Sequence, residues 1–218
     1  MTITSNTLVR NGMPFIGKVL RQVAPFMDEM VICISKSSND GTKEEIMKVM
    51  APYQGKIVWM TEDVKNKGDL TEVENDMVRK STSDWVLFLS DDDYWPQDQL
   101  RLCLSELKKD PTILAYSVAP YQLIDLGHYD PTWDKKSFSK FLRNEELNFK
   151  GPWPKDMPFS GNTSLYHGHS PQVVKKLSYR FYHLSYMKET SFRKEEWVPE
   201  RWRFNFGKGV EMPHKVEL

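Results

Sequence analysis

The sequence predicts an α/β fold in which a mostly parallel sheet, flanked by helices, is followed by an irregular, aromatic-rich C-terminal region. Over the first 120 residues short apolar runs alternate with helix-period segments, the pattern left by β-α-β units. The run Trp85-Val-Leu-Phe-Leu89 is apolar at every position, as in a strand covered on both faces. At 218 residues the chain can build one substantial core, or a core with an appendage, but not two full domains.

Strands are expected near 3–9, 29–35, 56–60, 85–90 and 113–119, and helices near 14–25, 42–51, 69–82 and 97–109. Asp40-Gly41 makes the turn into the second helix, and Pro96 starts the fourth. In that fourth helix Leu100, Leu102, Cys103, Leu104 and Leu107 are expected to share a side. Lys108 and Lys109 suit its C-terminal dipole, and Asp110-Pro111 stops it.

Between 120 and 163 the periodicity dissolves into Gly, Pro, Trp and Asp, as in His128-Tyr-Asp-Pro-Thr-Trp-Asp134 and Gly151-Pro-Trp-Pro-Lys-Asp-Met-Pro158. Its aromatic density argues for order, either as an acceptor-side loop or lid or as a packed crossover. A helix is expected over Pro171–Leu177, then a short strand at Phe181-Tyr-His-Leu-Ser185 and a charged, Trp-studded tail. Residues 1–120 thus form a ligand-binding α/β region, and 121–218 an acceptor-side region and tail of the same compact domain.

Lysine plus arginine equals aspartate plus glutamate at 30 each, so net charge provides no global pull toward nucleic acid or membrane. The distribution is uneven: residues 1–134 carry 14 basic and 21 acidic side chains, and 135–218 carry 16 and 9. Cys33 and Cys103 both sit in apolar segments and read as buried free thiols. No apolar run approaches the roughly 18 residues that would cross a bilayer, and a soluble, cytoplasmic protein is expected.

The most informative residues are Asp91, Asp92 and Asp93, where the fourth strand emerges at its carboxyl end. Ligands bind at that edge of open α/β sheets. Three adjacent carboxylates raise one another's pKa unless a cation sits among them, and hard oxygen ligands suit Mg²⁺ or Mn²⁺. A divalent ion carrying a phosphorylated ligand follows; the alternative is an acidic turn capping the next helix. A second polar loop, Ile34-Ser-Lys-Ser-Ser-Asn-Asp-Gly-Thr42, ends the second strand on the same edge. It could hold a base and ribose while the aspartates hold a metal-bridged diphosphate.

Thr7-Leu-Val-Arg-Asn11, Ser38-Asn-Asp-Gly-Thr42 and Leu89-Ser-Asp-Asp-Asp-Tyr-Trp-Pro96 together resemble glycosyltransferase family 2 and its relatives of the GT-A fold, over residues 5 to about 110. The resemblance implies a Rossmann-like sheet, a nucleotide-diphosphate sugar donor and Mn²⁺ or Mg²⁺. Implied donor contacts are Thr7, Val9, Arg10, Asn11, Ser35, Ser37, Asp40, Asn75, Asp91 and Asp92. Ser35 stands where the family places a carboxylate for the nucleobase, Gly12 where a glutamate is usual, and Glu74 where an arginine often precedes the asparagine. The Asp-x-Asp (DXD) pair is Asp91 with Asp93, being the pair with one spacer, or else Asp92 leads.

His183 resembles the histidine that several GT-A enzymes use as a further metal ligand, giving Asp91, Asp93 and His183 as the expected metal set. The family's Glu-Asp base has no counterpart after residue 110, so Asp156, in the Pro-rich loop, is the candidate base and Asp134 the second choice. His167 and His169 could bind metal or phosphate. Arg193, Lys194, Arg201 and Arg203, interleaved with Trp197, Trp202, Phe204 and Phe206, form a basic aromatic tail. The expected function is metal-dependent transfer of a sugar to an acceptor hydroxyl, a glycan or small molecule. Transfer to hydroxylated bases in DNA, sugar-nucleotide binding without turnover, and pyrophosphorylase chemistry are the alternatives.

Overall fold

A computed structural model of the chain describes residues 1–62, 67–134, 136–144, 174–187, 210–213, 216 and 218. The front half alternates β1 (Ile3–Val9), α1 (Ile16–Val23), β2 (Glu29–Ser35), α2 (Thr42–Met50), β3 (Ile57–Glu62), α3 (Lys67–Lys80) and β4 (Trp85–Phe88). A two-residue strand, β5 (Asp93–Tyr94), then precedes α4 (Gln97–Glu106) and β6 (Ala115–Gln122). The back half adds β7 (His128–Tyr129), β8 (Phe138–Arg143), β9 (Val174–His183) and β10 (Val210–Glu211).

Eight strands form one sheet in the order β3-β2-β1-β4-β8-β6-β9-β5. The β3-β2-β1-β4 half is parallel, so its carboxyl ends share an edge. β8 runs antiparallel to both β4 and β6, β9 is parallel to β6, and β5 lies antiparallel on β9. β7 and β10 make a separate antiparallel pair.

Apolar spacing explains how the helices cover this sheet. α1 buries Ile16, Val19, Leu20 and Val23, the i, i+3, i+4, i+7 stripe of an amphipathic helix. It lies so close to α2 that a Cβ on Gly17 would stand 2.2 Å from Oε1 of Glu45. Val31, Cys33, Met60, Val73 and Met77 form the layer between the sheet and α3. Both cysteines are free and buried as expected, and burial pushes the Cys33 thiol up to about 11 and the Cys103 thiol to about 12.

Three expectations need correction. Val174–Leu177 is not helix but the start of β9, because its backbone pairs with β6 from Ala115↔Val174 onward. Pairing and burial against the sheet override the helix propensity of Lys175 and Lys176. The stretch after 120 is less irregular than its composition suggests, since β8 enters the sheet between β4 and β6. Its segment hides a lysine, Lys140, among buried apolar neighbours and so lacks the alternation of an ordinary strand. Leu102 points to solvent, 43% exposed, because it lies about 200° around α4 from Leu100.

Of the two aromatic side chains of β8, Phe141 is the more deeply packed. Phe141 is fully buried and meets the Trp95 ring edge-on at 5.6 Å, and Trp95 stacks on Phe181 of β9 at 5.0 Å. Phe141→Ala is therefore expected to lower the unfolding free energy by about 3–5 kcal/mol, measured by urea denaturation. A loss under about 1 kcal/mol would mean that β8 does not close the core.

Candidate functional site

Three loops, 10–13, 35–41 and 89–93, leave the carboxyl ends of β1, β2 and β4 on one edge of the sheet. The first two are locked to each other. Asn11 N donates to Ser38 Oγ (2.9 Å), Gly12 N to Thr42 Oγ1 (2.7 Å) and Met13 N to Asp40 Oδ2 (3.0 Å). Asp40 Oδ1 accepts from Thr42 N, and Asn11 Oδ1 accepts from Asn39 N. Asn11 holds a left-handed φ of 54°, which a short amide side chain tolerates, and Gly41, at φ 87°, opens α2.

The expected donor contacts are placed differently. Asn11 and Asp40 are engaged in this clamp, while Arg10 and Ser37 are exposed beside it and Ser35, nearly buried, shares a 2.9 Å hydroxyl contact with Ser37. Thr7 and Val9 are 0% and 1% exposed. Asn75 is half-buried on α3, next to Glu74. Burial pushes the Glu74 carboxyl up to about 7.

The acidic triplet is buried as a whole, with Asp91, Asp92 and Asp93 at 5%, 0% and 1% exposure. The chain turns there, Asp93 N donating to Ser90 O at 3.1 Å, before Asp93 pairs across the strands with His183. Asp93 Oδ1 lies 2.9 Å from His183 Nδ1, and the same nitrogen is 3.6 Å from Asp92 Oδ1. Asp93 Oδ2 accepts from Ser90 N at 3.1 Å and from the Lys140 ammonium. Burial drives the Asp93 carboxyl upward, but the Lys140 charge and the His183 contact outweigh it and hold it below the usual range. Trp133 stacks on the His183 ring with centroids 5.7 Å apart.

Ligand atoms of Asp92, Asp93 and His183 all lie within 4.8 Å of one another. Two carboxylates and an imidazole are a donor set suited to Mn²⁺, and too poor in nitrogen and sulfur for a structural zinc site. Of the expected metal set, Asp93 and His183 lie in this cluster, and with them Asp92, the other candidate to lead the acidic pair. An i, i+2 pair shares a face only on an extended strand; in this turn, adjacent residues converge instead. Asp91 packs against Gly12, where an added Cβ would stand 3.4 Å from its own Cβ.

Lys140 and Trp133 were not among the expected site residues. The signal for Lys140 was there, a single lysine inside Phe138-Ser-Lys-Phe-Leu142. Asp134, the second-choice base, makes an ion pair with Arg180 (2.7 Å) and accepts from the Tyr129 hydroxyl. Asp156, His167, His169 and the tail residues Arg193, Lys194, Trp197, Arg201, Trp202, Arg203, Phe204 and Phe206 lie outside the described residues.

Two outcomes follow from this geometry. A Cβ on Gly12 would stand 2.7 Å from Val9 Cγ2 and 3.0 Å from Ile16 Cβ. Gly12→Ala is expected to cost about 1–3 kcal/mol in thermal or chemical denaturation, and an unchanged midpoint would contradict the close approach. Glu74 has a folded pKa above its ordinary value, so the folded state binds its proton more tightly. Stability is lost from this site as pH rises from about 4.5 through about 7. Glu74→Gln should raise Tm at pH 8 and leave it nearly unchanged at pH 4; equal shifts at both would exclude the titration.

The profile described as Glycosyl transferase family 2 matches residues 13–167. No curated protein matches the sequence. Among solved structures, the mannosyltransferase PcManGT from Pyrobaculum calidifontis, in complex with GDP-Man and Mn²⁺, is 22% identical with a TM-score of 0.46, over 56% of this chain and 36% of that one. TarS 1-349 of S. aureus is 16% identical with a TM-score of 0.44, over 66% and 47%. The 4-diphosphocytidyl-2C-methyl-D-erythritol synthase of Anaerococcus prevotii is 16% identical with a TM-score of 0.44, over 66% and 70%. This chain spans less than half the length of the first two. Among the described residues no helix is long and apolar enough to cross a membrane.

Proposed function

The chain belongs to glycosyl transferase family 2, and from that premise we propose that it moves a sugar from a nucleoside-diphosphate sugar to the hydroxyl of a glycan or small acceptor. The observation that carries the reading is the cluster of buried Asp92 and Asp93 with half-buried His183, just beyond the carboxyl end of β4. These three residues would hold a divalent ion, Mn²⁺ or Mg²⁺. When bound, such an ion neutralises negative charge that develops on a departing diphosphate.

The remaining roles fall to the chain's own groups. Hydrogen bonds tie loops 10–13 and 35–41 to each other, and a nucleotide at this edge would meet the exposed Arg10 and Ser37 beside that preorganised contact. Ser35 offers a hydroxyl where the family pattern has a carboxylate, which favours hydrogen bonding to a base without fixing which base. Trp133, stacked on His183, would help hold the imidazole plane. Asp156 is the candidate base for the acceptor proton on sequence grounds, a role typically worth 10²–10⁴-fold in rate.

A thermal-shift series of nucleoside-diphosphate sugars with and without Mn²⁺ tests the reading. A donor at 100 times its Kd should stabilise the protein by about 2.7 kcal/mol, and His183→Ala should lose the metal-dependent part of the shift. If no donor shifts Tm with either ion, and no nucleoside diphosphate is released in the presence of acceptors, the transferase assignment fails.

A further inference from the structure

We infer that Lys140 is a resident counter-ion of the acidic site, occupying Asp93 in the metal-free protein and competing with a divalent ion for that carboxylate. The inference rests on the cation site proposed above and concerns this chain's own residue.

Three independent observations carry it. The first is placement by the backbone: the β6–β8 register runs Tyr116↔Phe141 and then Ser117↔Ser139, so Lys140 is the extra residue of a β-bulge. Bulges next to functional sites re-aim a side chain that the regular pleat would send elsewhere. The second is burial. The side chains of Lys140 and Asp93 are 4% and 1% exposed, and the ammonium pairs with Asp93 Oδ2. Lysine is almost never buried this deeply unless paired. The third is the surrounding shell: the ammonium lies 4.9 Å from the centroid of the Phe181 ring, a face that favours a cation.

The consequence is that the charge of Asp93 is compensated without metal. Both oxygens of Asp93 already have partners, His183 on one and Ser90 N with Lys140 on the other. With Lys140 present, the two carboxylates of the cluster and the ammonium sum to one negative charge instead of two. A divalent ion entering the cluster must either displace the ammonium or sit beside it, and in a buried site like charges repel strongly. The same pairing relieves the folded protein of an isolated buried carboxylate when the metal is missing.

Mn²⁺ alone, with no nucleotide, is the probe. Lys140→Met should bind Mn²⁺ at least tenfold more tightly than the wild type, read by titrating the free-ion signal in electron paramagnetic resonance. It should also show a lower Tm without metal and a larger rise on adding Mn²⁺, whereas Lys140→Arg, which keeps the charge, should bind Mn²⁺ like the wild type. Equal or weaker Mn²⁺ binding by Lys140→Met would overturn the inference. Should that variant not fold, the wild type supplies the test through the ¹⁵N resonance of its Lys140 ammonium, assigned by its loss in Lys140→Arg. Saturating Mg²⁺ should shift or erase that resonance, and an unaltered signal overturns the proposal. Neither readout needs a donor sugar, so this inference can fail while the donor-binding result of the preceding subsection stands.

Discussion

Asp93 is a carboxylate buried on β5, a few residues beyond the carboxyl end of β4, and its charge has to be compensated by whatever packs over it. Compensation comes from Lys140 on β8, His183 on β9 and the main-chain N–H of Ser90. Lys140 and His183 arrive from strands distant in sequence, so the site exists only once the back half has closed against the front half. Removing one partner would leave an uncompensated charge in the interior, where such loss is far more costly than at the surface. The acidic site and the order of the late strands are therefore one structural problem.

A second constraint is the clamp between the β1 and β2 loops. Asp40 and Thr42 take donors from the 11–13 backbone, and Asn11 returns an acceptor to Asn39. Polar residues that resemble ligand contacts thereby tie the two loops together, and Arg10 and Ser37 are exposed beside them. Gly12 belongs to the same arrangement. It lets the loop close over Val9 and Ile16 and brings its backbone against Asp91, where a glutamate side chain would find no room.

The departures from the family pattern acquire physical content in this setting. Ser35 is tied to Ser37 and offers hydroxyls without charge. Glu74 replaces an arginine with a half-buried carboxyl that is near its titration midpoint at neutral pH. The negative charge of the described site is concentrated in the aspartates opposite Lys140.

Most of the front half was legible in the sequence because its information is local. Apolar runs of strand length, the 3.6-residue stripe of α1, the Asp40-Gly41 turn and the Pro96 helix start each act over a few residues, and the structure places β1, β2, α2 and α4 close to their expected positions. The acidic edge was equally legible, since three carboxylates after a buried strand leave few alternatives. What tertiary structure alone decided is non-local: that Val174–Leu177 pairs with β6 as strand, that β8 slips between β4 and β6, and that a bulge turns Lys140 inward. It also decided that the turn converges Asp92, not Asp91, on Asp93 and His183. Neighbouring side chains acquire their directions from the backbone path, and that path is set by strand pairing and burial rather than by the residues at the site.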